Sequence, residues 1–424
     1  MESLSHPDRS LTEVEVCQIL TDGLDGSRYA GKRVLIVIPD STRTAPIPLM
    51  YRLLHEVLGP QVESLDFLVA LGTHPAMDDA ALGRLVGVEV RDGSTGQSKI
   101  FNHRWDLEET FVTVGTIPAA EVRAASGGQM DLDVPVRLNR LVGDPNGERL
   151  YDELLVCGPV FPHEVAGFSG GNKYFVPGVS GQEVIDVTHW LGALLTSKEI
   201  IGVADTPMRR LINRAASFIP TPSSLIAMVM HGMDLRGLFV GEMDETWHAA
   251  TELSGALDIV WVDQPYRRVL SMVPEMYDDL WTGAKGMYKL EPAIADGGEV
   301  VIFAPHITEV SYVHGRIIDE IGYHVRDYFT AQWDRFSGFP WGIVAHSTHV
   351  RGAGTYLDGV ETARIDVTLA TGIPQERCGR IGLGYLDPAS IDFDEWEDRE
   401  DEGILLVPRA GEQLYRVRDG NDES

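Results

Sequence analysis

The chain has 424 residues, of which 44% are hydrophobic and 23% are charged, and its formal net charge is −29 at pH 7. This is the composition of a folded enzyme of two or three domains, and the acidic excess argues against nucleic-acid and anionic-membrane partners. The three cysteines form no C-x-x-C pair, and neither a signal peptide nor an apolar run near the roughly 18 residues of a membrane span is present, so we expect a cytoplasmic protein.

Short apolar segments alternate with amphipathic ones in the first 260 residues. We predict buried strands at 33–39, 66–71, 154–160 and 225–229, and helices at 49–58, 78–86, 183–195 and 245–257. A further apolar segment, 258–262, leads out of this part of the chain. The alternation predicts a mostly parallel α/β sheet.

A second alternating series follows. We predict a helix at 276–295 that ends at Gly297-Gly298, strands at 299–304, 341–345 and 380–384, and a helix at 315–328. The predicted fold class is therefore α/β, with two α/β domains, mostly parallel sheets and an active site in the cleft between them. The predicted boundaries are 1–260 for the N-terminal catalytic domain, 261–395 for the C-terminal domain, and 396–424 for a partly disordered, acid-rich segment.

Three polar segments directly follow predicted strands. They are Asp40-Ser-Thr-Arg43, Gly72-Thr-His74 and the glycine-rich segment 163–173. The carboxyl ends of parallel strands meet at one edge of a sheet, where α/β enzymes bind their ligands. A helix cap at Asp40 or a surface histidine at His74 would explain each segment singly. Three in succession favour a functional site.

The glycine-rich segment fits two common motifs incompletely. Residues 167–171 match the G-x-S-x-G pattern of hydrolase nucleophile elbows, but residues 162–164 separate them from the strand and Pro177-Gly178 follows where a helix is required. A P-loop needs Ser or Thr after its lysine, and Tyr174 follows Lys173. Glycine amides beside a lysine nevertheless suit a phosphate or carboxylate. His189 follows on a predicted helix, and one histidine alone cannot hold a metal tightly, so other ligands would have to come from a cofactor.

These residues resemble the nickel-pincer lactate racemase family. Segment 163–173 (HEVAGFSGGNK), then 176–181 (VPGVSG) and His189, is similar to the family signature, and segments 40–46, 72–74 and 281–286 match its other motifs in order. The resemblance covers roughly residues 30–310. It implies an isomerase, a racemase or epimerase that inverts C2 of a 2-hydroxy acid by proton-coupled hydride transfer through a 2-keto acid.

The resemblance also implies a cofactor, the nickel-pincer nucleotide, which is the nickel complex of pyridinium-3,5-bisthiocarboxylic acid mononucleotide. Cofactor-biosynthesis proteins would then be partners. His189 would be the protein ligand to nickel, and Lys173 the cofactor lysine, which in some members is attached covalently. The amides of Gly170 and Gly171 would seat the anionic groups of the cofactor.

The remaining roles follow from the same resemblance. His74 and His163 would be the two acid–base histidines, and Arg43 and Lys285 would hold the substrate carboxylate. The resemblance gives a supporting role in ordering the cofactor site to Asp40 and Thr42.

The substrate pocket departs from the lactate pattern. Trp281 and Thr282 stand where the lactate-specific members have Tyr and Gln, so a longer 2-hydroxy acid such as an aldonate is an alternative to lactate. Trp281 could equally be a packing aromatic. Two other interpretations are an NAD(P)-dependent 2-hydroxy acid dehydrogenase and a non-catalytic protein that binds a nucleotide or the nickel cofactor. The first lacks a G-x-G-x-x-G turn after the first strand, and the paired histidines with Arg43 favour catalysis over the second.

Overall fold

The computed structural model describes residues 1–24, 26–143 and 149–418, which form two compact units. Unit 1 comprises Met1–Thr188 and Ala204–Leu257. Unit 2 comprises His189–Val203 and the chain from Asp258 onward. The division therefore passes through one helix, between Thr188 and His189.

The helices and strands are numbered in chain order. The helices are α1 Glu13–Gly23, α2 Gly26–Tyr29, α3 Ile47–Val57, α4 Asp79–Val86, α5 Ala119–Ala125, α6 Gln182–Leu195, α7 Ser197–Ile200, α8 Pro207–Ala216, α9 Met243–Asp258, α10 Leu280–Gly283, α11 Lys285–Tyr288, α12 Gly315–Ile321, α13 Arg326–Ala331, α14 Trp333–Phe336, α15 Trp341–Arg351 and α16 Gln375–Arg380. The strands are β1 Glu2–Ser5, β2 Arg33–Pro39, β3 Ser64–Ala70, β4 Ile100–Asn102, β5 Phe111–Ile117, β6 Val134–Asn139, β7 Glu153–Pro159, β8 Pro162–His163, β9 Gly167–Phe168, β10 Ser223–His231, β11 Asp234–Gly241, β12 Ile259–Val262, β13 Tyr266–Met272, β14 Ile294–Ala304, β15 Gly354–Leu357, β16 Val360–Ala363, β17 Asp366–Thr371, β18 Gly384–Tyr385, β19 Ile404–Val407 and β20 Leu414–Val417.

Unit 1 is built on a seven-stranded sheet in the order β1-β11-β10-β7-β2-β3-β4. Its strands from β10 to β4 are parallel, and β1 and β11 add an antiparallel edge. The central strands β2 and β7 are apolar along nearly their whole length and are buried, as expected for parallel strands covered on both faces. Because β3 and β7 both pair in parallel with β2, their carboxyl ends lie at the same edge. The predicted mostly parallel α/β sheet is confirmed.

Unit 2 contains a five-stranded parallel sheet in the order β18-β17-β14-β13-β19. The chain builds outward from β13 through β14 and β17 to β18, and then returns to place β19 on the other side of β13. The carboxyl ends of β13 and β19 are therefore the topological switch point, where open α/β sheets bind ligands.

Several predicted elements of unit 2 are wrong. The predicted helix at 276–295 is two four-residue helices, α10 and α11, and Gly297 lies inside β14 with a φ of +75° instead of ending a helix. Segment 341–345, predicted as a strand, begins helix α15, and Arg380 ends helix α16 instead of beginning a strand. Short apolar runs are ambiguous between a strand and the buried side of a helix, which explains these errors. The predicted helix at 315–328 is interrupted at Gly322 into α12 and α13.

The acid-rich C-terminal stretch is more structured than predicted. Trp396 is buried against Leu270 and Val301, and the Arg268 guanidinium lies 4.3 Å from its ring centroid. Strand β19 then joins the sheet of unit 2, and β20 pairs with β12. The disorder predicted at the C-terminus falls on residues 419–424, which lie outside the described residues. None of the helices in the described ranges is long and apolar enough to cross a membrane.

Candidate active site

The three predicted polar segments of unit 1 lie at one edge of its sheet. Asp40 follows β2, Leu71-Gly72 follows β3, and Val160 follows β7, and these three strands are adjacent and parallel. The sequence therefore brings Asp40, His74 and the glycine-rich segment to neighbouring positions, as ligand-binding loops are placed in other α/β proteins.

Asp40 organises the first two segments. Its Oδ1 accepts hydrogen bonds from the backbone N–H of Thr42 at 3.1 Å and from the Thr42 hydroxyl at 2.6 Å. Its Oδ2 lies 2.5 Å from Nδ1 of His74. Burial of Asp40 raises the pKa of its carboxyl group, but the hydrogen bond and charge of His74, together with Thr42 and Arg43, outweigh this and lower the pKa to about 2. An ionised Asp40 accepts the proton on Nδ1 of His74, which leaves Nε2 of His74 as a proton acceptor.

His74 is held at the backbone while its ring remains accessible. The His74 N–H donates to the carbonyl of Leu71 at 2.9 Å, and the indole N–H of Trp105 donates to the carbonyl of His74 at 2.8 Å. The side chain is 46% exposed, against 8% for Asp40. A fixed backbone and an accessible ring suit a group that exchanges protons with a ligand and with water.

His163 has the opposite hydrogen-bonding arrangement. It lies in the short hairpin of β8 and β9, is 7% exposed, and its Nδ1 accepts the backbone N–H of Val165 at 3.1 Å. The Glu164 carboxylate lies farther from the same nitrogen, at 3.5 Å, and a proton on Nδ1 would be directed against the Val165 N–H. The neutral ring therefore carries its proton on Nε2 and is a donor there.

Arg43 lies between these groups and an adjacent cavity. One of its nitrogens donates to the Thr42 hydroxyl at 3.3 Å, and its guanidinium carbon is 5.8 Å from the ring centroid of Phe161. A cavity of about 210 Å³ is lined by Arg43 and by apolar side chains that include Ile47 and Met77. Within the described ranges Arg43 forms no ion pair with a carboxylate, so its charge is available to an anionic ligand.

An arginine and a tryptophan donate hydrogen bonds to the backbone carbonyls of the glycine-rich segment. Arg209 of α8 donates to the carbonyls of Gly170, at 3.2 Å, and Phe168, and its guanidinium lies 4.0 Å from the ring of Trp247. The Trp247 indole donates to the carbonyl of Ser169 at 2.7 Å. These bonds satisfy the carbonyl side of the segment. The Ser169 hydroxyl donates to the carbonyl of Pro159 at 3.1 Å, which is a structural role and not that of a nucleophile.

The shape of the segment requires its paired glycines, Gly170 and Gly171. Gly170 and Gly171 have φ values of +79° and +58°, a region that L side chains rarely adopt. A Cβ at Gly170 would lie 2.5 Å from Val160, and one at Gly171 would lie 2.9 Å from Trp247. Gly171 begins a 3₁₀ helix that ends at Tyr174. The first N–H groups of a helix have no partner within the helix.

Lys173 lies in that helix among other cations. Burial of its ammonium group, followed by the charge of Arg43 and then that of Arg209, lowers the pKa of Lys173 to about 7, although Glu164 opposes the shift. A large fraction of the amine is therefore unprotonated at neutral pH, when a lysine is a nucleophile. Arg43 and Arg209, with the protonated fraction of Lys173, place positive charge here in a protein whose net charge is −29.

The other predicted residues belong to unit 2. Lys285 is the first residue of α11, beyond the carboxyl end of β13. Its ammonium group lies 4.8 Å from the ring centroid of Tyr277, and a Cβ at Gly411, which follows β19, would come within 3.0 Å of the Lys285 Cβ. Lys285 thus lies at the switch point of the second sheet. His189 lies in α6, in the part of that helix that belongs to unit 2.

Trp281 and Thr282 are held by neighbours within unit 2. The Trp281 ring stacks on His346 at 3.8 Å with an interplanar angle of 9°, and His314 lies 4.6 Å away. Nε2 of His346 donates to the carbonyl of Trp281 at 3.1 Å. The Thr282 hydroxyl is 2.9 Å from Oδ1 of Asp279. The hydroxyl proton of Thr282 is therefore bound within the protein, and its oxygen can act mainly as a hydrogen-bond acceptor for a ligand.

The sequence analysis did not identify Arg209, His346 and His349. Arg209 gave one signal, a basic residue on the apolar side of an amphipathic helix. His346 and His349 were hidden because segment 341–345 was predicted to be a strand, whereas a helix places residues three apart on one side.

The donors that are present fit the implied nickel cofactor. In the described parts of the chain, no group of three or more His, Cys, Asp or Glu side chains is placed to hold a metal ion. A metal bound through His189 would therefore need a molecule that brings its own ligands, as a pincer nucleotide does. Arg43, Lys173 and the loop at Gly170 and Gly171 supply cations and backbone amides suited to the anionic groups of such a nucleotide.

The chain is similar in sequence to lactate racemases. Residues 16–202 match the family model "Lactate racemase N-terminal domain". Over 282 residues the chain is 23% identical to lactate racemase from Thermoanaerobacterium thermosaccharolyticum, a match that covers 64% of this chain and 60% of that enzyme.

Two solved structures resemble the whole chain. A protein from Thermotoga maritima is 32% identical, with a TM-score of 0.85, and the match covers 98% of this chain and 100% of that one. The lactate racemase apoprotein from Thermoanaerobacterium thermosaccharolyticum has the same fold, with a TM-score of 0.72, 18% identity, and coverage of 97% and 94%. The N-terminal part of the chain therefore matches the lactate racemase N-terminal domain, and the whole chain is similar in fold to a lactate racemase.

Proposed function

We propose that this protein is a racemase or epimerase that inverts C2 of a 2-hydroxy acid by proton-coupled hydride transfer, with the 2-keto acid as intermediate. The observation that carries the proposal is the opposite protonation of two histidines at one sheet edge. His74 presents an unprotonated Nε2 because Asp40 takes its Nδ1 proton, and His163 presents a protonated Nε2 because Val165 donates to its Nδ1. One ring is ready to accept a proton and the other to donate one.

The chain's own groups handle the proton and the carboxylate. In one direction Nε2 of His74 takes the hydroxyl proton as C2 loses hydride. As hydride reaches the other face, the developing alkoxide accepts a hydrogen bond from the Nε2–H of His163 and takes up one proton from water, which balances the proton that His74 releases. The half-exposed His74 then loses its proton to water. Arg43 and Lys285 hold the carboxylate while the ketone turns. The nickel-pincer nucleotide, when bound, would supply the hydride acceptor.

We also propose roles for the residues around the cofactor. His189 would ligate nickel, Lys173 would bind the nucleotide or attach to it through its unprotonated amine, and the Gly170 and Gly171 amides would contact its anionic groups. The low pKa of Lys173 supports this role, because attachment requires a free amine.

We propose a substrate longer than lactate. The cavity beside Arg43 offers room beyond a carboxylate. Trp281 and Thr282 stand where the resemblance places Tyr and Gln in the lactate-specific members. A panel of 2-hydroxy acids from lactate to aldonates, given to the cofactor-loaded protein and analysed by chiral chromatography, would identify the preferred member. A preference for lactate would contradict this assignment.

Isotope retention tests the proposed mechanism. Substrate deuterated at C2 should keep its label in the inverted product in ordinary water, because the transferred hydrogen stays shielded from solvent. A small amount of 2-keto acid should be trapped on quenching. Complete loss of deuterium to solvent without keto acid would instead indicate that the histidines act as bases at carbon, as in an enolate racemase.

A further inference from the structure

The segment that carries His74 has no regular secondary structure. Residues 72–78 connect β3 to α4 and belong to neither a helix nor a strand, and most of them are exposed. A segment of this kind has few backbone hydrogen bonds of its own to hold it in place. The contact between Nδ1 of His74 and Oδ2 of Asp40, at 2.5 Å, therefore depends on what else fixes the backbone of the segment.

Asn102 fixes one end of this segment. It is the last residue of β4, which pairs with β3 at the edge of the sheet. The side-chain amide of Asn102 donates to the Met77 carbonyl at 2.9 Å, and its side-chain oxygen accepts the Met77 N–H at 2.9 Å. Two bonds to one residue fix its orientation as well as its position, as a hydrogen-bonded pair does in an antiparallel ladder.

Trp105 fixes the segment at His74 itself. Its indole N–H donates to the His74 carbonyl at 2.8 Å. Trp105 is 39% exposed, so its burial stabilises the fold less than the burial of a core tryptophan would. The specific contact that its indole nitrogen makes is the bond to the residue that we propose as the proton acceptor.

His103, which lies between these two residues, anchors them to the interior. It is fully buried, and its N–H donates to the Val69 carbonyl at 3.2 Å. Its Nε2 donates to the Ser180 carbonyl at 3.2 Å, and its Nδ1 accepts from the Asn139 amide at 3.2 Å. Burial lowers the pKa of His103 to about 4, although the Ser180 bond opposes the shift, so the ring is neutral. Residues 102–105 are therefore a fixed support.

We propose that Asn102 and Trp105 are positioning residues for His74: they hold its backbone where the ring meets Asp40 and where Nε2 can reach the substrate hydroxyl. The inference rests on the proposed function, in which His74 accepts the hydroxyl proton. Proton transfer requires the two heavy atoms to lie within hydrogen-bond distance, and a displacement of about 1 Å can cost about 10²-fold in rate. Residues that do not touch the substrate can therefore set the rate.

The first test needs no cofactor. Protein labelled with ¹⁵N-histidine and studied at alkaline pH gives ring shifts that report which nitrogen carries the proton, and the His74 signals are those lost in His74→Gln. In the unaltered protein the proton should lie on Nδ1, next to Asp40. Trp105→Phe removes the indole donor and keeps an aromatic ring, and Asn102→Ala removes both bonds to Met77. In the double variant a substantial fraction of His74 should carry its proton on Nε2.

The second test measures turnover by protein loaded with cofactor in cells. Trp105→Phe should lower kcat about 10-fold and the double variant about 10²-fold, with KM nearly unchanged, because the groups that bind the carboxylate are not altered. Trp341→Phe is the matched control, since it removes an indole bond to the Ser337 carbonyl at 3.1 Å in unit 2. It should change neither kcat nor the His74 shifts.

The outcomes separate the positioning role from the proposed function. Unchanged His74 shifts and unchanged kcat in the double variant, or in both single variants if the double variant does not fold, would overturn the positioning role. An equal loss of kcat in Trp341→Phe would also overturn it, because the effect would then not depend on contact with the His74 segment. Normal turnover by His74→Gln would instead overturn the part of His74 in the proposed function, whatever the ring shifts show.

Discussion

Nδ1 of His74 lies 2.5 Å from Oδ2 of Asp40, although the two residues are 34 positions apart in the chain. The pair forms because β2 and β3 are adjacent and parallel, so the residues beyond their carboxyl ends meet. Asp40 also binds both the N–H and the hydroxyl of Thr42. The carboxylate is thereby fixed in position, and it determines which nitrogen of His74 carries the proton.

Replacing Asp40 by Asn tests this control of the tautomer. The Asn amide would direct an N–H at Nδ1 of His74 and favour a proton on Nε2, which converts a proton acceptor into a donor. We expect the Asp40→Asn variant to lose about 10²- to 10⁴-fold in kcat, the usual contribution of general acid–base catalysis. Turnover of a 2-hydroxy acid by the cofactor-loaded variant measures the loss. Unaltered kcat would mean that the pair serves only the structure of the loop.

The pKa of Lys173 predicts an unusual reactivity near neutral pH. Acetylation of Lys173, followed by mass spectrometry from pH 5 to 9, should rise to half its maximal rate near pH 7, because the amine loses its proton there. Below that pH the ammonium form predominates and labelling should stop. A model lysine peptide, with a pKa near 10.4, should still be rising at pH 9.

The same experiment identifies the neighbour responsible. Arg43→Gln removes a positive charge near Lys173, so the pKa should rise and the labelling midpoint should move to higher pH. Arg91→Ala, which alters an exposed arginine paired with Glu89, should leave the midpoint unchanged. A midpoint above pH 9 in the unaltered protein would contradict the environment described for Lys173.

The carboxylate clamp makes a kinetic prediction. Arg43→Ala and Lys285→Ala should each lower kcat/KM by about 10²-fold or more, since each removes a charge-assisted contact with the substrate carboxylate. Arg91→Ala should have no effect beyond about twofold in the same assay. Normal turnover by both variants would mean that other groups bind the carboxylate.

Substitutions in the glycine-rich segment can distinguish the stability cost of a left-handed backbone from the cost of steric crowding by an added Cβ. Gly127 has a φ of +61° with open space around its Cβ position, so Gly127→Ala should cost only about 1 kcal/mol from the left-handed backbone. Gly170→Ala adds a Cβ 2.5 Å from Val160, and Gly171→Ala one 2.9 Å from Trp247. Both should lose about 1–3 kcal/mol more than the Gly127 variant, as measured by the shift of the urea midpoint.

Those two variants should also load less cofactor. Gly127→Ala, whose added Cβ would contact no residue of the segment, should load normally. Equal stability and equal loading in all three variants would show that the segment tolerates a side chain, contrary to the geometry.

The sequence by itself determined the strands that carry the site and the resemblance to the lactate racemase family. Seven-residue apolar runs such as 33–39 are buried on both sides and read clearly as central parallel strands. The polar residues that end them are local features, so Asp40, His74 and the glycine segment were found where the structure places them. The motif order across segments 40–46, 72–74 and 163–173 was likewise a property of the sequence alone.

Only the tertiary structure decided what these residues do to one another. The tautomers of His74 and His163 depend on Asp40 and on the Val165 N–H, and the pKa of Lys173 depends on burial and on Arg43. Helix α15 was mistaken for a strand because its opening run is short and apolar, and such a run fits a strand and the buried side of a helix equally well. Hydrogen-bond partners and burial are set by residues distant in the chain, and local patterns do not contain that information.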